Sequence, residues 1–185
     1  MKKTLALVLA LVMVLCAVSA MAEGSKTVDD TQKTTVTNGY NNAPAEAELP
    51  TLEFVSTPSA AIQAIIDQFK AAHDTGDDLG ALPEDVKTQV AQVGEGLTHI
   101  NEMTGAKFTG NTNIKNEVEV ILSFMTKYTP GDDVAVLFGV IEGENVKWTV
   151  LKGKVNDDGD VVVMVPAAMV KGIENDEFII AVVSK

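Results

Sequence analysis

The sequence predicts an α+β protein in which an N-terminal helical hairpin precedes a small antiparallel β-sandwich or open barrel of about five strands. Before residue 113, two segments have apolar residues at helical spacing and are separated by turn residues. After Asn113, short β-branched runs alternate with tight turns. The first pattern is typical of amphipathic helices and the second of an all-β module. We therefore divide the 185 residues into a leader (1–22), a stalk (23–50), a helical hairpin region (51–112) and a β module (113–185).

The leader has the pattern of a secretory signal peptide. Lys2 and Lys3 precede an apolar run from Leu5 to Val18, and Ala20-Met21-Ala22 is a small-x-small cleavage motif. The run is shorter than a membrane-spanning helix requires. We predict cleavage after Ala22 and a secreted or cell-surface location.

The stalk, residues 23–50, is rich in Thr, Asn, Asp, Glu and Ala and contains few large apolar residues. Such a segment cannot bury enough apolar surface to offset the entropy lost on ordering. We predict a disordered acidic stalk. The alternative is that Lys33 to Tyr40 forms an edge strand.

The hairpin region begins with a possible strand from Thr51 to Val55. A first helix follows from Pro58 to about Ala72, with Ser56 or Thr57 as its cap. Its predicted buried stripe consists of Ile62, Ile65, Ile66 and Phe69. Asp74 to Gly80 is rich in turn residues and separates the two helices.

The second predicted helix runs from Pro83 to about Thr104, where Gly105 would end it. Its apolar seam has spacings of three and four residues and consists of Val86, Val90, Val93, Leu97 and Ile100. Gly94 and Gly96 each weaken a helix by roughly 1 kcal/mol relative to Ala, so we expect a kink or break there.

The β module has five predicted strands, which are Val118–Met125, Val134–Ile141, Val146–Leu151, Val161–Val165 and Phe178–Val183. Pro166 to Ile173 is predicted to be a connecting turn or short helix. Trp148 shares a strand face with Val146 and Val150, so we expect its ring to lie in the core.

The composition argues against several function classes. All 14 positively charged residues are lysines and oppose 26 acidic residues, which gives a net charge of −12. An acidic surface repels phosphate backbones and anionic lipids, so we expect no nucleic-acid partner and no stable membrane insertion after leader removal. The single cysteine, Cys16, lies in the leader, so the mature chain has no disulfide, thiolate metal site or cysteine nucleophile. No cofactor is predicted.

The chain contains two histidines, His73 and His99, each with carboxylates nearby in sequence. Imidazoles and carboxylates together can bind zinc or perform acid–base chemistry. No ligand-type spacing links these two, so we expect two solvated residues near helix ends.

Two acidic loops are weak calcium candidates through Asp74, Asp77, Asp78, Asp158 and Asp160. Calcium prefers clustered oxygen ligands, but the second loop has Gly at its fourth position and lacks the terminal Glu of an EF-hand. Turn formation explains these residues without metal, so we predict no metal site and no catalytic residue.

Three segments of the β module share a pattern of turn and core residues, namely Tyr128 to Val134, Val146 to Trp148, and Asp158 to Val163. Together they resemble the C-terminal β module of small secreted proteins from Gram-positive anaerobes. The leader is similar as well, and the resemblance covers the leader and about the last 70 residues. Because the shared residues are mostly turn and core positions, the resemblance implies a fold but no activity and no functional residue.

We therefore expect a secreted, non-catalytic interaction or structural module whose partner is an extracellular or cell-surface protein or glycan. The alternative is a small extracellular glycan or cell-wall hydrolase, or a carbohydrate-binding module. A cleft with two carboxyls roughly 5 to 10 Å apart and an exposed aromatic residue would favour the hydrolase. An exposed strand edge or apolar patch would favour binding.

Overall fold

Eight antiparallel strands form one sheet that curls into a nearly closed barrel in the computed structural model, which describes residues 33–38 and 49–185. The strands are β1 (Lys33–Asn38), β2 (Pro50–Val55), β3 (His99–Gly110), β4 (Val118–Ser123), β5 (Asp133–Glu142), β6 (Asn145–Val155), β7 (Val161–Val165) and β8 (Glu177–Ser184). The helices are α1 (Ala60–Asp74), α2 (Glu84–Val93) and α3 (Ala167–Gly172). The order across the sheet is β1-β4-β7-β6-β5-β8-β3-β2. None of these helices combines the length and hydrophobicity needed to cross a bilayer.

The predicted helical hairpin followed by a five-stranded sandwich is wrong. The sheet contains strands from both the region before residue 113 and the region after it. The side chains of α1 and α2 pack on the outer face of β5 and β8 instead of forming a separate helical unit. Burying an apolar helix stripe against a sheet satisfies the same amphipathic pattern as burying it against a second helix.

The largest error concerns β3, because the predicted second helix extends through residues that form this strand. The helix ends at Val93, since Gly94 is fully extended and Gly96 has a φ of +79°. Beyond these glycines, Glu102, Ala106 and Phe108 are buried in one row of β3. The strand hydrogen-bonds to β8 on one edge and to β2 on the other.

A second error concerns the stalk, in which Lys33–Asn38 forms strand β1. This strand pairs with β4 from Lys33 opposite Ser123 to Asn38 opposite Val118. The edge-strand alternative is therefore confirmed for residues 33–38. The predicted signal peptide and the remainder of the predicted stalk, apart from Leu49 and Pro50, lie outside the described residues.

The remaining elements follow the sequence patterns closely. The predicted strand at Thr51–Val55, the first helix and all five strands of the β module are confirmed, with ends shifted by a few residues. The predicted cap, Ser56 or Thr57, is wrong: the helix begins at Ala60 and its cap is Ser59, whose hydroxyl accepts a hydrogen bond from the Ile62 N–H at 3.5 Å. The segment after Pro166 forms α3.

Most of the buried apolar side chains fill the barrel interior. The largest that are completely buried are Phe108, Phe138, Phe178, Leu52, Leu122 and Ile180. Strands β5 and β8 are buried on both faces, because their outward residues Ala135, Leu137 and Ala181 lie beneath the helices. This explains the near-continuous apolar runs of both strands.

Trp148 packs between the helices and the sheet. Its ring meets Phe69 of α1 edge-to-face, with centroids 5.8 Å apart. It also covers Gly139, the residue directly opposite on β5. Trp148 is therefore a half-buried contact on the outer face of the barrel and lies outside the interior core.

Candidate functional site

A pocket of about 630 Å³ lies beside the first half of β3. Its volume is in the range of ligand-binding clefts. Residues from the end of β2, from α1, from the α1–α2 loop, from β3 and from the loop after β4 line it. The residues used below are Ile66, Phe69, His73, Asp78, His99, Glu102, Met103, Thr104 and Thr126.

The pocket follows a stretch of β3 that has a partner strand on one edge only. Strand β8 pairs with β3 from His99 to Lys107, whereas β2 pairs with it only from Gly105 to Gly110. Within residues 33–38 and 49–185, no strand pairs with the second edge between His99 and Thr104. We call residues 99–104 the open edge.

The two faces of the open edge differ in chemistry. Glu102 and Thr104 lie opposite Val182 and Ile180 of β8, whose side chains belong to the barrel interior. Met103 lies opposite Ala181, which faces the helices. The inner side of the open edge is therefore polar and the outer side is apolar.

The apolar outer side is extended by α1, which contributes Ile66 and Phe69 to the same pocket. Each is only 6% exposed, so both belong to the packed helix–sheet layer. The pocket therefore has a preformed apolar wall.

Glu102 is buried at the inner side of the open edge. The register of β3 against β8 shifts between Ile100 and Glu102, and only 6% of the Glu102 surface is exposed. Burial and, second, the charge of Glu102 raise the pKa of the Tyr128 hydroxyl. The carboxylate therefore exerts its charge in a poorly solvated environment.

Asp78 joins the two histidines. Its carboxylate lies 2.8 Å from His73 Nδ1 through Oδ1 and 3.2 Å from His99 Nδ1 through Oδ2. The backbone of Ile100 also donates a hydrogen bond to it. Asp78 is 8% exposed, whereas both imidazoles are mostly exposed.

These contacts determine the protonation of Asp78. Burial alone would raise the pKa of this carboxyl group. The hydrogen bonds from His73 and His99, the charge of His73 and the Ile100 backbone act together in the opposite direction, so the pKa of Asp78 lies below its ordinary value. The group is a carboxylate at neutral pH and joins the α1–α2 loop to the start of β3.

The expectation of two solvated histidines near helix ends is confirmed for the exposure of both side chains and for the position of His73, but it is wrong for the position of His99. His73 lies near the end of α1, but His99 begins a strand, and both contact the same carboxylate. No spacing pattern could reveal this, because Asp78 and His99 are 21 residues apart and meet only through the tertiary fold.

The acidic loops are structurally different from each other. Asp74 and Asp78 line the pocket, and the carbonyl of Asp77 accepts a 2.9 Å hydrogen bond from the Gly80 N–H. In the other loop, the Asn156 side chain accepts hydrogen bonds from the N–H groups of Asp158 and Asp160 at 3.0 and 2.9 Å.

The Asp160 carboxylate pairs with Lys127. In the described part of the chain, no group of three or more His, Cys, Asp or Glu side chains is arranged to hold a metal ion.

Glu102, Met103 and Thr104 were not predicted as pocket residues, because the apolar spacing before them placed them in a helix. One available signal, just beyond these residues, was the alternation of apolar and polar residues from Ala106 to Thr109. This period of two is typical of a strand.

No protein-family model, curated protein or solved structure matches the chain.

Proposed function

We propose that the chain is an exported, non-catalytic binding module whose ligand occupies the pocket beside the open edge. The proposal rests on one observation, which is that a preformed cleft lies against strand positions with no neighbouring strand among the described residues. Such positions offer backbone donors and acceptors to a ligand. The apolar wall adds contact area that does not need to be ordered on binding.

The electrostatics of Asp78 argue against a role for this residue as the general acid of glycan hydrolysis. A glycosidase needs one carboxyl that remains protonated, which requires a raised pKa. The pKa of Asp78 is shifted in the opposite direction by its two histidine partners. In the described ranges, the large hydrophobic side chain with high exposure is Met125, whereas sugar platforms are aromatic.

The binding proposal is tested by NMR on the isotopically labelled protein with a panel of small amines, amino-acid amides and short saccharides. We expect saturable shifts at the amides of residues 100–104 and Thr126. The proposal would be refuted if no panel member bound, or if binding shifted only amides outside the pocket.

A matched pair of variants identifies the site. Thr104→Gln extends a side chain into the pocket and should weaken the binding of every active panel member. Thr109→Gln makes the same change on the same strand outside the pocket and should leave binding unaltered. Equal effects of the two variants would contradict the assignment.

Export is part of the proposal and has its own test. Because Ala20-Met21-Ala22 is a cleavage motif, the protein purified from culture medium should begin at Glu23 when its N-terminus is sequenced. A soluble intracellular form that retains Met1 would contradict export.

A further inference from the structure

We propose that residues 25–30 of this chain, which precede β1, pair with the open edge as an added parallel strand and compete with the ligand for the pocket. We call residues 25–30 the strap. The inference rests on the proposed binding function and names how that site is regulated. The strap lies before Lys33, outside the described residues.

The directions of the strands bring the strap to the correct end of the barrel. Every neighbouring pair in the sheet is antiparallel, and six such steps lead from β1 to β3, so these two strands run in the same direction. Strand β3 runs from its open edge toward the part that β2 covers. The start of β1 therefore points to the end of the barrel at which the open edge lies.

The end of β2 leaves a path from β1 to the open edge. The Thr34 hydroxyl of β1 contacts the Leu52 carbonyl of β2, so these two strands are neighbours. Strand β2 ends at Val55, opposite Gly105, and the chain then turns to α1 on the outer face. A chain continued backward from Lys33 passes this end and meets the stretch of β3 that β2 does not cover.

The length of chain before β1 is sufficient. The six residues of the strap equal the six of the open edge in number. Three peptide units join Asp30 to Lys33 and reach about 10 Å, whereas neighbouring strands lie about 4.8 Å apart. The pocket is close to this point, because Lys33 pairs with Ser123 and the loop after Ser123 lines the pocket through Thr126.

A comparison with β6 shows how another incomplete edge is protected in this fold. Strand β6 also extends beyond its neighbour, since β7 pairs with it only from Gly153 to Val155. That stretch of β6 carries the exposed residues Lys147 and Lys152. Charged lysines and covering segments are both common devices against unwanted strand pairing. The open edge contains no lysine, so a covering segment is the device that remains.

The strap has side chains that suit the pocket. Lys26 and Val28 are two residues apart and share one face of an extended strand. With Val28 on the apolar wall, Lys26 lies on the same side and closer to the start of β3. The carboxylates of Asp74 and Asp78 line that end of the pocket. The lysine therefore brings a positive charge to an acidic region of the site.

The test measures hydrogen exchange by NMR on the chain that begins at Glu23, the form expected after leader cleavage. We expect protection of the amides among residues 101–104 that do not bond to β8. Successive N–H groups of a strand point to alternate edges, so one of the variants Thr27→Pro and Val28→Pro removes a donor from the added ladder. That variant should speed the exchange of these amides at least about tenfold.

Glu23→Pro is the matched control, because it makes the same change in front of the strap and should leave exchange unaltered. Equally fast exchange in the unmodified protein and in both strap variants would show that the open edge is uncovered, and would overturn the proposal.

A spin label determines whether the strap belongs to the same molecule. The chain from Glu23 contains no cysteine, so Ser25→Cys carries a single nitroxide. This label should broaden the amides of residues 99–104 within its own molecule, and less so when the proline variant that speeds exchange is also present. The same label on Glu144→Cys, in the turn between β5 and β6, should spare these amides. Broadening in isotopically labelled copies without nitroxide would assign the occupant to a second copy and overturn the proposal.

Ligand affinity separates this proposal from the binding function. Competition by the strap lowers the apparent affinity by the fraction of molecules with an open site, so the proline variant that releases the strap should bind active panel members at least about threefold more tightly. If the panel binds but both proline variants leave exchange and affinity unchanged, the strap proposal fails while the binding function stands. If the strap is in place but no panel member binds even after its release, the binding function fails and the regulatory role fails with it.

Discussion

At the scale of single residues, Gly139 allows Trp148 to lie flat against the sheet. The two residues are direct cross-strand partners on β5 and β6. A Cβ atom at position 139 would lie 2.7 and 2.9 Å from two carbons of the indole ring, which is closer than carbon atoms pack. The ring then reaches Phe69 on α1 and joins the sheet to the helix.

Gly139→Ala should therefore destabilise the protein by about 1–3 kcal/mol, the usual cost of overpacking. Gly172→Ala is the control, because a Cβ there meets no atom within 4 Å and alanine is the better helix former. Urea unfolding of both variants measures the difference. An unchanged midpoint for Gly139→Ala would show that the indole moves aside at little cost.

Asp78 makes stability depend on acid in a defined direction. Its pKa in the folded state lies below the unfolded value of about 3.9, so its carboxylate stabilises the fold above that value. This contribution should disappear as the pH falls through the lowered folded-state pKa.

Asp78→Asn should reduce the free energy of unfolding at pH 6 by roughly 1–3 kcal/mol, the cost of disrupting buried hydrogen bonds of a charged group. The difference in unfolding free energy from the unmodified protein should narrow as the pH falls below about 4 and through the lowered folded-state pKa of Asp78. Asp133→Asn is the control. The hydrogen bond from Lys152 also lowers the pKa of Asp133, but this ion pair lies on the surface, where solvent screens its contribution to stability. If the difference in unfolding free energy between Asp78→Asn and the unmodified protein stayed constant down to about pH 2, this would contradict the assigned cause.

At the scale of elements, the sequence correctly predicted those strands and helices whose own residues form a clear apolar pattern. Strand β5 has a continuous apolar run bounded by turns, and α1 has one clear apolar stripe. Strand β3 was missed because Leu97 and Ile100 continue the helical spacing of α2, although Gly94 and Gly96 end the helix. Both residues are apolar for another reason, since they pack under the helices on the outer face of the sheet.

The docking of α1 depends on a small cluster. Ile62 is 1% exposed and contacts the outer face of β8 through Ile179. Ile62→Ala should lower the free energy of unfolding by about 2–5 kcal/mol, as expected for a buried isoleucine. Gln68→Ala on the exposed side of the same helix should change it by less than about 0.5 kcal/mol. Chemical denaturation followed by Trp148 fluorescence reports both, and equal effects would show that α1 is not anchored through this face.

At the scale of the whole molecule, the pocket exists because the barrel is assembled from strands far apart in sequence. Strand β1 pairs with β4, and β3 lies between β2 and β8. Local patterns do not encode such pairings. The sequence therefore predicted most of the strands, but it did not predict how many of them form one sheet or that β3 has an open edge. The Asp78 cluster was missed for the same reason.

The barrel comes nearest to closing where its two terminal strands, β1 and β2, approach each other. The Thr34 hydroxyl of β1 donates a hydrogen bond to the Leu52 carbonyl of β2, which the strand ladders do not otherwise join. Thr34→Val retains the side-chain shape and β propensity and removes this bond, so it should cost about 0.5–1.5 kcal/mol in unfolding free energy. It should also speed hydrogen exchange of the β1 amides while leaving those of β5 unchanged, since β5 remains paired on both edges.

Thr35→Val, at the exposed neighbouring position, is the matched control and should change neither quantity. If the two variants behave alike, closure does not depend on the Thr34 contact, and the packing of β1 against β4 alone holds the first strand in place.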